Sequence, residues 1–236
     1  MGFWPSPVHD ERPYFFLNTT SLRATALAEP GRLWVLAGAL LLVVVLIATR
    51  DTTSSVRTGA VATGLGTAFM CVELALIQRF TVAAGGTLYS ISFVLFCLLA
   101  WSGAGALLLG TRWHRLARGV SWASVAAGLA VAATALLLRD LEWLEAITSD
   151  AGRLLLIAVV LAPVGLAIGC PFPVLLSHAP GDIARLWAVN GAASVAGGIL
   201  AVLALRVAGS TDTLVLAVGF YLMVAPVAPA RDAHRA

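Results

Sequence analysis

The sequence predicts an all-α fold, a polytopic bundle of about seven transmembrane helices. Of the 236 residues, 60% are hydrophobic and only 11% are charged, and the mean hydropathy is +0.93. A soluble domain carries about 25% charged residues, so most of this surface is expected to face lipid. Apolar runs of about 17 to 23 residues recur along the chain, and at 1.5 Å per residue they are long enough to cross a bilayer.

The chain divides into three parts. Residues 1–30 are polar and aromatic, contain four prolines, and are expected to be interfacial or disordered. Residues 31–230 form the predicted membrane bundle, and 231–236 form a polar tail. The predicted spans are residues 33–49, 58–78, 88–110, 120–138, 154–176, 186–207 and 213–229.

The second and third spans form the predicted packing centre. The first half of the second span carries small side chains on nearly all sides, with Gly59, Gly64 and Gly66 among its residues. Small residues let membrane helices approach closely. A short Ala-Gly-Gly turn joins it to the third span, so the two helices are expected to be antiparallel neighbours. The first span has no polar interior residue, and the fourth is Ala-rich and featureless.

Glu73 is the acid that lies well inside the second span. A carboxylate in hydrocarbon costs at least about 2.5 kcal/mol, so it usually has a partner or a task. Three interpretations stay open. The acid carries protons or cations, or it bonds a neighbouring helix as a neutral acid, or it pairs with an arginine such as Arg79 near the membrane edge.

The fifth span is interrupted by prolines. Pro171 and Pro173 flank Phe172 and predict that the helix breaks near its end, because proline removes a backbone donor. Residues 139–153, between the fourth and fifth spans, predict a short amphipathic helix on the membrane surface.

The sixth span carries a polar face. Asn190, Ser194 and Gly198 are spaced by four, and Gly191 and Gly197 complete a surface that must pack closely. Asn190 and Ser194 either form hydrogen bonds that hold neighbouring helices together or, if they face the broken fifth helix, belong to a transporter-like site near the midplane of the bilayer.

A basic loop follows the third span. It contains Arg112, Arg115 and Arg118, the densest basic cluster in the chain. The loops after spans one, three and five, with the tail, hold eight arginines, and the lead-in and other loops hold seven, so the count does not decide orientation. The cluster and the acidic stretch 139–153 favour a cytoplasmic basic loop and an N-terminus outside.

Several classes of function have little support in the sequence. The net charge of +3 comes from 15 arginines and no lysine, spread over the loops without a nucleic-acid patch. Cys71, Cys97 and Cys170 fall in apolar runs, which is typical of small buried hydrophobes. Since the sequence has no catalytic set, metal-ligand cluster or histidine inside a span, we expect no catalytic residue, metal or cofactor.

An ordered series of motifs resembles a known family. GLGTAFMCVELALIQRF, GGTLYSISFVLFCLLAWSGAGALLLGTR, GCPFPVLL, LWAVNGAASVAGGILAVLAL and GFYL are similar to the C-terminal membrane region of bacterial spermidine-synthase-like proteins. In that family a soluble domain of the aminopropyltransferase/methyltransferase type is joined to membrane helices. The resemblance implies a multi-pass protein of the bacterial cytoplasmic (inner) membrane. This chain departs from the family where GGTLY lacks a Pro before the Tyr and where PFPVLL lacks a Gly after PFP.

The sequence lacks the family's soluble catalytic unit. A nucleoside-binding domain needs a strand, a Gly-rich turn and an acidic residue, and no such unit occurs here. We therefore expect a non-catalytic scaffold or accessory subunit that contacts lipid and other membrane subunits. One alternative is a transporter-like module for a polyamine or other small cation that uses Glu73 and Asn190. Another is a membrane anchor for a separately encoded soluble enzyme, docked through residues 1–30 or the basic loop.

Overall fold

A computed structural model describes residues 53–83, 88–108, 118–139, 147 and 149–229. The predicted first span, the lead-in, the tail, most of the basic loop and most of the acidic stretch lie outside these residues. All the helical spans from the second to the seventh fall largely within them.

Seven α-helices make up the described part of the chain. They are α1 (Thr53–Ala83), α2 (Leu88–Leu108), α3 (Gly119–Leu137), α4 (Asp150–Ile168), α5 (Pro171–His178), α6 (Ile183–Val207) and α7 (Ser210–Val227), with a 3₁₀ turn at Pro180–Asp182 before α6. The described ranges contain no strand, and six helical segments, with α4 and α5 counted as one, are long and apolar enough to cross a membrane. The predicted all-α membrane bundle is confirmed.

Short links make successive spans antiparallel, so spans two apart run in the same direction. The long-range contacts are consistent with these helix directions. Arg185 donates to Thr58 while Met70 lies beside Gly198, so α1 and α6 run parallel. Trp101 donates to the Ala158 carbonyl at 2.9 Å, and Gly105, further along α2, meets Leu166 of α4, which makes this pair parallel too.

α1 is the most buried of the six membrane segments, and α2 is the least buried. α1 packs mainly on α6 and α7, and its contact with α2 is smaller, while α2 packs mainly on α4. The hairpin of α1 and α2 is therefore not the packing centre by itself. The centre is α1 together with α6 and α7, because α1 is the most buried segment and its largest contacts are with these two helices.

Two arginines fix the ends of α1. Arg57 donates to the carbonyls of Val227 at 2.5 Å and Ala228 at 3.2 Å, at the end of α7. Arg79 is only 3% exposed and donates to the carbonyls of Leu138 and Arg139, at the end of α3. A cation at a helix C-terminus satisfies carbonyls that lack partners and complements the helix dipole.

The two arginines also bracket a stretch of α1 whose length matches the thickness of a membrane. They are 22 residues apart, which is about 33 Å along a helix and close to the ~30 Å of bilayer hydrocarbon. Glu73 lies six residues before Arg79, so it is about 9 Å inside the nearer boundary.

The break in the fifth span lies immediately before its prolines. α4 ends at Ile168 and α5 begins at Pro171, so the interruption falls at Gly169 and Cys170. The backbone there stays satisfied, because the Gly169 and Cys170 amides donate to Gly165 and Ala167 at 3.1 and 3.3 Å. The Cys170 thiol donates to the carbonyls of Leu166 at 3.0 Å and Gly105 of α2 at 3.3 Å.

Candidate functional site

The polar residues predicted on α6 lie against α1. A Cβ atom added to Gly66 would lie 2.6 Å from the Asn190 carbonyl oxygen and 3.0 Å from both Asn190 Oδ1 and Ser194 Oγ. Ordinary carbon contacts are about 3.5 to 4.0 Å, so only glycine fits at this point. We call this contact the polar seam and define it by Gly66, Thr67 and Met70 of α1 and Asn190, Ser194, Gly197 and Gly198 of α6.

The polar seam continues along both helices. A Cβ atom added to Gly197 would lie 2.7 Å from the Thr67 Cα atom, and one added to Gly198 would lie 3.6 Å from Met70 Cε. The Ser194 hydroxyl donates to the Asn190 carbonyl at 2.8 Å within α6. The two helices thus meet almost backbone to backbone, and the seam is closed where its polar atoms lie.

Glu73 lies further along the same side of α1. It follows Gly66 by seven residues, two helical turns, which returns it to nearly the same direction about 10 Å along the axis. Its side chain is 9% exposed, and among the described residues it makes no hydrogen bond or ion pair. The structure therefore brings Asn190 and Ser194 to Gly66 but places Glu73 about two turns away from that contact.

Arg79 does not pair with Glu73 in the described part of the chain. Its Nε and Nη2 atoms bond the carbonyls at the end of α3. Six residues separate the two side chains, which points them to different sides of the helix. Sequence reasoning missed the role of Arg79 as a cap, since nothing in the sequence specifies which helix end lies beside it.

The helix break does not face the polar seam. Gly169 packs on the Ser102 backbone of α2, and a Cβ atom added to Gly165 would lie 2.5 Å from Trp101 Cβ. Pro171 is buried, and Phe172 packs edge to face on Trp187 of α6 with ring centroids 5.1 Å apart. Asn190 instead meets Gly66, so the structure does not assemble a site from the break and the polar face of α6.

The other predicted positions separate into packed and open ones. Gly197 is enclosed in the polar seam, while Gly191 is exposed and has nothing within 4 Å of an added Cβ atom. Arg118 is exposed just before α3. Arg112 and Arg115 lie outside the described residues, as do residues 1–30, so the anchor hypothesis stays a prediction.

One apolar groove lies on the outer surface between α2 and α4. It has a volume of about 510 Å³, and its lining includes Phe93, Phe96, Trp101, Leu154 and Leu155. The side chains that line it offer almost no polar contact, as expected for a surface that faces lipid tails. Within the described ranges no three His, Cys, Asp or Glu side chains lie close enough together to hold a metal ion.

No protein-family model, curated protein or solved structure matches the chain. The resemblance to the membrane region of spermidine-synthase-like proteins therefore rests on the sequence motifs alone.

Proposed function

We propose that this chain is a non-catalytic scaffold or accessory subunit of a larger membrane assembly. The observation that supports it is the closed polar seam. Asn190 and Ser194 are the polar residues best placed to line a passage, yet they lie within 3.0 Å of the position that a Cβ atom on Gly66 would take. The Ser194 hydroxyl donates to the Asn190 carbonyl of its own helix, and both residues lie where Gly66 lets α1 approach α6, which is how small residues act in membrane helix packing.

The outer faces of α2 and α6 are the surfaces that we assign to partner subunits, because these are the two least buried membrane segments in the described part of the chain. On α6, Trp187 and Val195 are 58% and 60% exposed, and Gly191 lies one turn from each. On α2, Phe96 and Leu107 are similarly exposed. A glycine between large side chains gives a neighbouring helix room to approach, and lipid is the alternative occupant.

Purification from native membranes in mild detergent tests the proposal. We expect the chain to migrate in a complex larger than its own 24.5 kDa. Gly191→Leu should release the partner without unfolding the chain, because the added side chain meets only open space. Gly219→Leu, at another glycine with nothing within 4 Å, is the matched control and should keep the complex. If the wild-type chain migrates alone as a monomer, the subunit function is excluded.

A second candidate is a transporter-like module for a polyamine or other small cation. The observation that favours it is Glu73, a mostly buried intramembrane acid that has no bonding partner in the described part of the chain. Such acids mark ion and proton pathways in many membrane proteins.

Uptake into vesicles tests this second candidate. Glu73→Gln keeps the shape of the side chain and removes its charge, so uptake of the transported cation should fall at least about tenfold, the effect of losing about 1.4 kcal/mol of binding. Asp212→Asn is the control, since Asp212 is an exposed acid in the first turn of α7. Unchanged uptake in the folded Glu73→Gln protein excludes the transport function.

A further inference from the structure

Two segments of the chain carry the same pattern about 99 residues apart. Residues 66–71 read GTAFMC and residues 165–170 read GLAIGC, with identical Gly, Ala and Cys at the first, third and sixth positions. Downstream, LYSIS at 88–92 matches LWAVN at 186–190. Both begin with Leu, and an aromatic, a small, a β-branched and a polar residue follow in the same order. The first motif lies within α1 and, in its second occurrence, at the end of α4 and in the break that follows it. The second motif lies at the start of α2 and in the first half of α6.

The equivalent positions make equivalent contacts. In the first motif, Gly66, Thr67 and Met70 approach α6. Their counterparts 99 residues later, Gly165, Leu166 and Gly169, approach α2, at Trp101, Gly105 and Ser102 respectively. The first, second and fifth positions of the motif therefore pack on a parallel partner helix in both cases.

The two sets of helices run in opposite directions. α1 and α4 are separated by two intervening spans, α2 and α3, so they cross the membrane in opposite senses. The contact of α1 with α7 corresponds to the contact of α4 with α3. The remaining pair, α3 and α7, pack on each other through Gly128, Tyr221 and Leu222. A two-fold axis in the membrane plane generates this set of contacts, as in membrane proteins built from inverted repeats.

We infer that the described part of the bundle consists of two inverted copies of one three-span unit, α1–α3 and α4–α7 with α4 and α5 counted as one span, and that Glu73 binds a small cation in the first copy. The copies differ where prolines enter. Val72 and Leu74 keep α1 continuous, whereas Pro171 and Pro173 stand at the equivalent positions beside the break.

The counterpart of Glu73 is Phe172. In the second copy the aligned position lies beyond the break, on α5, and packs an aromatic ring on Trp187, so the sequence pattern that the two copies share does not require an acid there. The acid in the first copy is therefore not required by the packing that both copies have in common. A buried carboxylate that packing does not require is expected to have a ligand.

The burial of Glu73 restricts its ligand to a small cation. A partner helix needs an exposed side chain to contact, but only 9% of Glu73 is exposed. A metal ion or a protonated amine is small enough to reach it, and both offer the positive charge that a carboxylate binds. The inference rests on the second candidate function, yet cation binding is measurable without transport.

Thermal unfolding of the purified full chain in detergent tests the inference. Samples contain Na⁺, K⁺ or putrescine at equal ionic strength, with N-methylglucamine as the bulky control cation. We expect one of the small cations to raise the Tm of the wild type by about 5 °C near saturation, and to leave that of Glu73→Gln unchanged. A response to Na⁺ or K⁺ identifies a metal-ion site, and a response to putrescine alone identifies an amine site.

Glu73→Phe copies the residue of the second copy and tests the repeat. It should fold and unfold within a few degrees of the wild type. The inference is overturned if no small cation shifts the wild type, if Glu73→Gln keeps the shift, or if Glu73→Phe and Glu73→Gln both fail to fold while Asp212→Asn folds. Binding that depends on Glu73 without uptake in vesicles supports the site and excludes only the transport function.

Discussion

Gly66→Ala should destabilise the bundle although the change adds a single methyl group. The new Cβ atom would lie 2.6 Å from the Asn190 carbonyl and 3.0 Å from two further polar atoms. The carbonyl belongs to the backbone of α6, so relief requires the helices to separate by nearly 1 Å. Overpacking costs about 1 to 3 kcal/mol, and a clash with helix backbone falls in the upper part of that range, about 2 to 3 kcal/mol. Alanine regains up to about 1 kcal/mol of helix propensity, which leaves a net loss of about 1 to 2 kcal/mol.

Gly191→Ala is the matched control for that prediction. Gly191 also lies inside a membrane helix, but nothing lies within 4 Å of its added Cβ atom. The substitution should be neutral or stabilise by up to about 1 kcal/mol, because only the helix propensity changes.

Thermal unfolding in one detergent compares the two variants with the wild type. For a chain of this length, the expected loss at Gly66 corresponds to a fall in Tm of about 2 to 8 °C. Adding Ser194→Ala to Gly66→Ala should recover part of it, because the hydroxyl contact is removed without loss of helix propensity while the carbonyl contact remains. The interpretation of a closed seam is refuted if Gly66→Ala is as stable as Gly191→Ala.

Two further predictions concern helix ends. Arg79→Met should lower the free energy of unfolding by about 2 to 3 kcal/mol, because the carbonyls at the end of α3 lose a charged donor. The control, Arg206→Met at an exposed position, should change it by no more than about 0.5 kcal/mol. Equal denaturation midpoints for the two variants would contradict the capping role. Gly209, with φ of 96° and ψ of −179° before α7, lies in a region that is almost exclusive to glycine, so Gly209→Ala should cost about 1 to 3 kcal/mol in the same assay. Gly219→Ala, in open space with helical backbone, should cost nothing, and an equal loss at both glycines would refute the strain argument.

The polar seam and Glu73 support different functions for neighbouring parts of one helix. Around Gly66 the two helices are in close contact at Asn190 and Ser194, which supports a packing role for these residues. Two turns further along, Glu73 remains without a bonding partner among the described residues. A scaffold subunit that also holds a cation satisfies both observations, and the detergent and vesicle experiments separate the two roles.

The sequence by itself determined the class of the protein and the location of the spans. Hydropathy is a local property that sums along the chain, so an apolar run of membrane length predicts a helix whatever packs beside it. The break beside Pro171 and Pro173 was predictable for the same reason, since the missing amide donors belong to the residues themselves. Glu73 stood out because a charge in hydrocarbon is costly in any fold.

Only the tertiary structure decided which faces meet. Gly66, Gly105, Gly165, Gly169 and Gly197 allow close approach to any helix, and the sequence does not specify the partner. The structure pairs α1 with α6 and α2 with α4, which directs Asn190 to Gly66 and away from the break. It also directs Arg79 to the end of α3 and away from Glu73. Such pairings depend on distances between residues far apart in the chain, which local hydrophobicity and spacing do not contain.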